Sequence, residues 1–304
     1  MAVHRRSIQQ ATPDRRGDPV MKLILLGTKG GPRLSARRSS PAQAIVFGNR
    51  VMVVDCGEGV PHQLLRAGIP VERVADVLIT HHHSDHNGSY GNLLLMAWAG
   101  GLDHQVHTYG PPPLAAMTEA FYEMNAYDLA VRMADEGRPS LRSLVTVTEI
   151  DGPGTVIQDD DVTVRAAVVH HPPVEPAYAY RFDAGGRSIV ISGDTTPCDE
   201  LIELAQGATV LVHEVMHPEF VARLAHGQVA NVEPERMRRH LLQSHTAVED
   251  LGAVAAKAGV GTVVMTHLVP GDGELPEEAW LAPVRTTFDG RVILGRDLLE
   301  IPVD

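Results

Sequence analysis

The segment Val77-Leu78-Ile79-Thr80-His81-His82-His83-Ser84-Asp85-His86 passes from a short apolar run directly into a loop rich in histidine and aspartate. The apolar run predicts a strand, and the loop after it presents His81, His83, Asp85 and His86. Their imidazole nitrogens and carboxylate oxygens can reach two divalent ions at the distances usual for zinc. A solvated polar loop is the competing explanation. Imidazole with carboxylate is, however, the common ligand set for borderline metals, and few other needs gather so many histidines. His82, in the middle of the alternating triplet, is expected to point away.

Working outward, the runs Lys22 to Leu26, Ala44 to Phe47, Val51 to Val54 and Val74 to Thr80 read as strands separated by glycine- and proline-bearing turns. Helices are expected near Gln63 to Ala67 and over Asn92 to Ala97, and a longer one over Pro113 to Glu136, which has good formers and no internal proline. Strands dominate again from Leu144 to Val190. The second half repeats the theme, with strands at Ala208 to Val212, Gly261 to Thr266 and Arg291 to Leu294 and helices at Asp199 to Ala205 and Val248 to Lys257. This order suits an α/β protein of two packed sheets with helices on their outer faces. Residues 1–20, arginine-bearing and without a signal-length apolar run, read as a flexible extension, and 21–304 as one domain. Helical insertions are expected near 113–136 and 216–242, the second either a surface decoration or a lid.

Three more strand ends carry candidate ligands. On strict alternation Val162, Val164, Val168 and His170 share a face, so His170 emerges at the tip, with His171 as the rival. Ile189 to Thr195 is a strand running into a glycine turn with Asp194 at its apex, where an aspartate can bridge two metals or simply cap the turn. Val264-Met265-Thr266-His267 repeats the pattern of strand followed by histidine.

The bulk composition is that of an ordinary globular protein, with 44% apolar and 21% charged residues over 304 positions. A net charge of −12 speaks against sequence-independent binding to nucleic acid, which needs a basic face. Two cysteines, Cys56 and Cys198, allow at most one disulfide, and no run is long and apolar enough for a membrane helix. A cytoplasmic location is expected.

The order His-x-His-x-Asp-His, then His, then Gly-Asp-Thr, then His, resembles the metallo-β-lactamase superfamily from Met21 to the C-terminus. Leu26-Gly27-Thr28, Val54-Asp55-Cys56-Gly57-Glu58, His213-Glu214 and Ser244-His245-Thr246 are similar to the ribonuclease Z branch and its arylsulfatase-like relatives. The resemblance implies an αββα sandwich of two mixed sheets (the metallo-β-lactamase fold) and two Zn2+ per chain, with Mn2+ or Fe2+ as alternatives. His81, His83 and His170 would hold one ion, Asp85, His86 and His267 the other, and Asp194 would bridge them. His245 matches the family's proton-donating histidine, although a helix-start residue beside Thr246 is the other reading. Asp85 would orient or deprotonate the attacking water. Asp55 and Glu214 would orient ligands, with His213 as a further candidate. Where the family reads Gly-Thr-Gly-Gly, this chain has Gly27-Thr28-Lys29-Gly30-Gly31.

A dinuclear site of this type predicts hydrolysis. The interval from His170 to Asp194 is filled by two expected strands and leaves no room for the long tRNA-binding arm of ribonuclease Z proteins. With the negative charge, this favours a small-molecule ester, lactone, phosphodiester or aryl sulfate as substrate. It makes nucleic acid unexpected as a partner and tRNA 3′-processing the alternative. An inactive metal-binding scaffold is disfavoured because every ligand position is filled. Relatives that pair suggest a homodimer.

Overall fold

The computed structural model describes residues 21–224, 232–273 and 275–303; the expected extension at 1–20 lies outside them. Strand β1 (Lys22–Gly27) is followed by β2 (Ala42–Phe47), β3 (Arg50–Val54), helix α1 (Val60–Arg66), β4 (Val74–Leu78), α2 (Ser84–Asn87), α3 (Tyr90–Gly100) and β5 (Val106–Gly110). Next come α4 (Leu114–Met124), α5 (Ala126–Glu136), β6 (Val145–Glu149), β7 (Gly154–Gln158), β8 (Thr163–His171), β9 (Val174–Ala184), β10 (Arg187–Ile191), α6 (Asp199–Leu204) and β11 (Val210–Met216). The chain closes with α7 (Pro218–Leu224), α8 (Pro234–Ser244), α9 (Val248–Ala258), β12 (Thr262–Val269), α10 (Glu277–Arg285), β13 (Arg291–Leu294) and β14 (Leu299–Pro302). Two seven-stranded sheets result, ordered β14-β1-β2-β3-β4-β5-β6 and β13-β12-β11-β10-β9-β8-β7. Each is mixed: β3 to β6 run parallel, as do β10 to β13, while the remaining neighbours are antiparallel.

The inner strands, such as β1, β3, β10, β11 and β12, read as continuous apolar runs because both of their faces are buried. In β1, Leu23 and Leu25 point inward, where they meet Tyr178, Tyr180, Phe182, Ile189 and Val212 of the other sheet. Ile24 and Leu26 point outward, onto a layer that includes Leu64 of α1 and Leu93 of α3. The outer face of the second sheet is covered in the same way, with Leu211, Val263 and Met265 packing on Leu201, Leu251, Val254 and Trp280. The arrangement is the expected αββα sandwich.

Two expectations about helices change. The single helix over 113–136 is broken at Asn125, which has φ −103° and ψ 10°. Its Nδ2 donates to the Phe121 carbonyl at 2.9 Å, the local competition with backbone bonding that makes asparagine a poor residue inside helices. Met216, placed at the start of the second insertion, instead completes β11. Among the described residues no helix is long and apolar enough to cross a membrane.

Candidate active site

The candidate ligands collect where strand ends of the two sheets meet. From the first sheet, the loop after β4 carries His81 and His83, and α2 carries Asp85 and His86. From the second come His171 at the end of β8, Asp194 in the turn after β10, and His267 within β12. The Asp194 Oδ2 atom is the common centre. It lies 3.1 Å from His267 Nε2, 3.3 Å from His86 Nε2, and 3.9 Å from His81 Nε2, His171 Nε2 and His245 Nδ1. One set of donor atoms, from His81, His83, His171 and Asp194, lies within 4.8 Å of one another, as does a second from Asp85, His86 and His267.

His170 is the correction. Its side chain is 59% exposed and faces Glu200 of α6 at 3.8 Å, whereas His171 is buried and brings Nε2 to 3.1 Å from His83 Nδ1. Pairing between β8 and β9 shifts register between Val169 and His171. Around this irregularity two successive residues, Val169 in the outer core and His170 beside α6, lie outward, so His171 turns inward. Strict alternation fails at such a shift, and parity passes to the next residue. His267 depends on a similar device. Glu214 pairs with Thr266 and Val215 with Leu268, so His267 is an extra residue, held at φ +44° and aimed at Asp194.

The surrounding groups fix these rings. Asp55, itself at φ +59°, accepts from the Thr80 amide at 2.8 Å and places Oδ2 2.8 Å from His86 Nδ1. Thr80 Oγ1 sits 3.0 Å from His81 Nδ1, and the Ser244 carbonyl accepts from His171 Nδ1 at 2.8 Å. Such partners set the tautomer and leave the opposite nitrogen for an ion. Glu214 Oε1 accepts from the Thr195 and Thr246 amides and lies 3.1 Å from His245 Nδ1. His213 contacts no ligand through its Nδ1, which lies 2.6 Å from the Glu214 carbonyl. His82 turns away, 2.7 Å from the Pro111 carbonyl.

Burial, opposed in part by Asp194, lowers His81 and His83 and brings His171 down to about 4, so these imidazoles keep their lone pairs at neutral pH. His86 is raised despite burial because Asp194, Asp55 and Asp85 surround it; acidic surroundings that favour a proton there favour a cation equally. Asp85 is depressed, the charges of His86 and His267 outweighing its burial. His245 is raised to about 9, burial being overcome by the Glu214 carboxylate.

A family model described as anti-Pycsar protein Apyc1 matches residues 21–265. Ribonuclease Z of Mycobacterium bovis (strain BCG / Pasteur 1173P2) is 34% identical over 93% of this chain and 99% of its own length. Ribonuclease Z of Mycobacterium avium (strain 104) is 36% identical over 94% and 99%. The chain belongs to this family, in the ribonuclease Z branch of the metallo-β-lactamase superfamily. Two solved structures share the fold: the metallo-β-lactamase fold protein YhfI from Bacillus subtilis (TM-score 0.68, 20% identity, 93% of this chain and 99% of that one) and the short form of human tRNase Z (TM-score 0.67, 18% identity, with the same coverage).

As a member of this branch the protein is a metal-dependent hydrolase, and its donor set fits a metal. His86 Nε2, His267 Nε2 and Asp194 Oδ1 are buried without a hydrogen-bond partner, and unpartnered nitrogens facing a carboxylate are costly unless a cation joins them. His83 Nδ1 sits 3.1 Å from both His81 Nε2 and His171 Nε2, where at most a proton or an ion can relieve the crowding of lone pairs.

Ribonuclease Z relatives overturn the expectation of a small-molecule ester substrate and of no nucleic-acid partner. The short His171–Asp194 interval, occupied here by β9 and β10, did not discriminate. The mycobacterial ribonuclease Z proteins align over 99% of their own length, so they are scarcely longer than the matched part of this chain. A net-charge total averages over the surface, whereas binding responds to the local field.

The site opens into a cavity of about 560 Å³ whose lining includes His83, Asp85, Asp194, His245 and His267, with Phe220, Met237 and Leu241 as an apolar wall. His240 lines it too, its ring 6.1 Å from that of His245. Met237, His240, Leu241 and Ser244 follow helical spacing along one face of α8, a signal legible in the sequence once that helix is known to border the site.

Proposed function

We propose that the protein is an endoribonuclease of the ribonuclease Z type, cleaving a phosphodiester bond at the 3′ side of a precursor tRNA. The observation that carries this reading is the match to proteins named ribonuclease Z along nearly the whole of both chains, with every ligand position of the site filled. His81, His83, His171 and Asp194 would hold one ion, and Asp85, His86 and His267 a second. The nitrogen- and carboxylate-rich set favours Zn2+, and Asp194, whose Oδ2 also lies 3.1 Å from His267 Nε2 and 3.3 Å from His86 Nε2, would be within reach of both ions. When bound, such ions would acidify a water and polarise the phosphoryl group whose phosphorus is attacked.

The protein's own groups do the rest. Asp85, ionised and held 3.4 Å from His267 Nε2, orients the attacking water. His245, charged through Glu214, delivers a proton from Nε2 to the departing 3′ oxygen, so the upstream product ends in a 3′ hydroxyl and the trailer begins with a 5′ phosphate. Since tRNA is an intracellular substrate, the reading includes a cytoplasmic location.

The test is cleavage of a precursor tRNA bearing a 3′ trailer by the metal-loaded protein, compared with the same RNA lacking the trailer. Release of the trailer with a 5′ phosphate supports the proposal. No cleavage by protein of full metal content overturns it.

A further inference from the structure

Lys29 stands where the superfamily pattern has glycine, and it is 95% buried, being only 5% exposed. Loop 28–30 docks on the strand that carries His267: Lys29 bridges to Leu268, the Leu268 amide donates to the Thr28 carbonyl, and the Gly30 amide donates to the Leu268 carbonyl. Glycines make room for it. A Cβ at Gly271 would lie 2.4 Å from Lys29 Cγ, and one at Gly30 would lie 2.7 Å from His267 Nδ1. Lys29 lines the same cavity as Asp85, Asp194, His245 and His267.

Its partners there do not match its charge. Lys29 Nζ donates to the carbonyls of Gly30 at 2.8 Å and Gly31 at 3.0 Å, and among the described residues no carboxylate forms an ion pair with it. Burial lowers its pKa, with Asp272 and Asp85 too weakly placed to compensate. An ammonium carries three protons, so one remains uncommitted. Removing such a charge from water without a counter-ion is costly. A substrate phosphate entering the cavity supplies the missing anion, and lysine serves phosphate as a point charge.

We propose that Lys29 is a substrate-binding residue whose ammonium contacts a non-bridging oxygen of the phosphodiester seated in the catalytic cavity. The proposal rests on the phosphodiesterase reading given above. The rival role is a plain loop clamp, made by the two carbonyl bonds alone.

Two measurements separate these. A structure of the wild-type, metal-loaded protein with inorganic phosphate should place a phosphate oxygen within hydrogen-bond distance of Lys29 Nζ; phosphate bound in the cavity without that contact overturns the proposal. Lys29→Met should raise the Kd for inorganic phosphate about tenfold. On a His245→Ala background that suppresses turnover, the same change should weaken a single-stranded trailer oligonucleotide and lower the slope of log K against log salt by about 0.7. Metal content and melting temperature should stay at the parent value, and Lys29→Arg should recover part of the affinity. A folded, metal-loaded Lys29→Met variant with unchanged Kd and salt slope refutes the role. If this variant fails to fold, the wild-type phosphate complex decides. The function can fail separately: a protein that cleaves no RNA, yet loses phosphate binding in Lys29→Met, sinks the ribonuclease reading and keeps the Lys29 contact.

Discussion

Replacing Glu214 by glutamine tests the proton donor without touching a ligand. The Glu214 side chain lies 3.1 Å from His245 Nδ1 and also accepts from the Thr195 and Thr246 amides. Glutamine keeps the shape and can still accept from both amides, but it removes the charge. Burial disfavours the imidazolium, and the carboxylate outweighs burial to raise His245 to about 9. Without that charge, His245 should titrate at or below its ordinary value of about 6.5. Because the folded-state value is raised, the donor is charged below about 9 and activity is lost as pH rises through that value. The alkaline limb should therefore move down by about two units or more. At about pH 8 the protonated fraction falls from roughly nine-tenths to a few per cent, about thirtyfold. The assay is single-turnover cleavage across pH of a precursor RNA and of a nitrophenyl phosphodiester, whose leaving group departs without a proton. An alkaline limb that stays in place, or that moves equally for both substrates, refutes the reasoning, provided elemental analysis shows equal metal content. The same sign applies to stability: in metal-free protein the His245–Glu214 pair stabilises the fold below about 6.5, and this contribution is lost as pH rises through about 9.

His171→Ala should lose most of the bound metal whereas His170→Ala should keep it, as elemental analysis of the two purified variants will show; equal retention would restore His170 as a candidate. Asp55→Asn removes the charge held 2.8 Å from His86 Nδ1 and should weaken metal binding by about 10–100-fold in a chelator competition, with little change in the fold. Gly30→Ala would drive a methyl group to 2.6 Å from Val269 Cγ2 and 2.7 Å from His267 Nδ1, so turnover and metal affinity should both fall; full activity would show that the loop can retreat.

The parts of the fold carried by local pattern were readable. Apolar strands buried on both faces leave long hydrophobic runs, and His81 to His86 follow one such strand directly, so the loop announced itself. What escaped reading depends on irregular pairing or distant contacts. His171 displaces His170 because a register shift in β8 changes which side chain points inward, and period-two counting cannot foresee a shift set by the partner strand. Asn125 splits a helix through a single side-chain bond to a carbonyl one turn earlier. His240 reaches the site only because α8 packs beside it, a tertiary fact absent from the local sequence. The substrate class was misjudged from a charge total and an interval length, neither of which reports on the chemistry at the mouth of the site.

Two of the groups of candidate ligands draw on both sheets: His81 and His83 with His171 and Asp194, and Asp85 and His86 with His267. An ion bound there acts as a clasp between the two layers, so its binding free energy is also adhesion of one layer to the other. Chelation should then not melt either sheet first. It should let the sandwich gape along this edge, with faster amide exchange at the ends of β4, β8 and β12 while the Tyr178–Phe182 core stays protected.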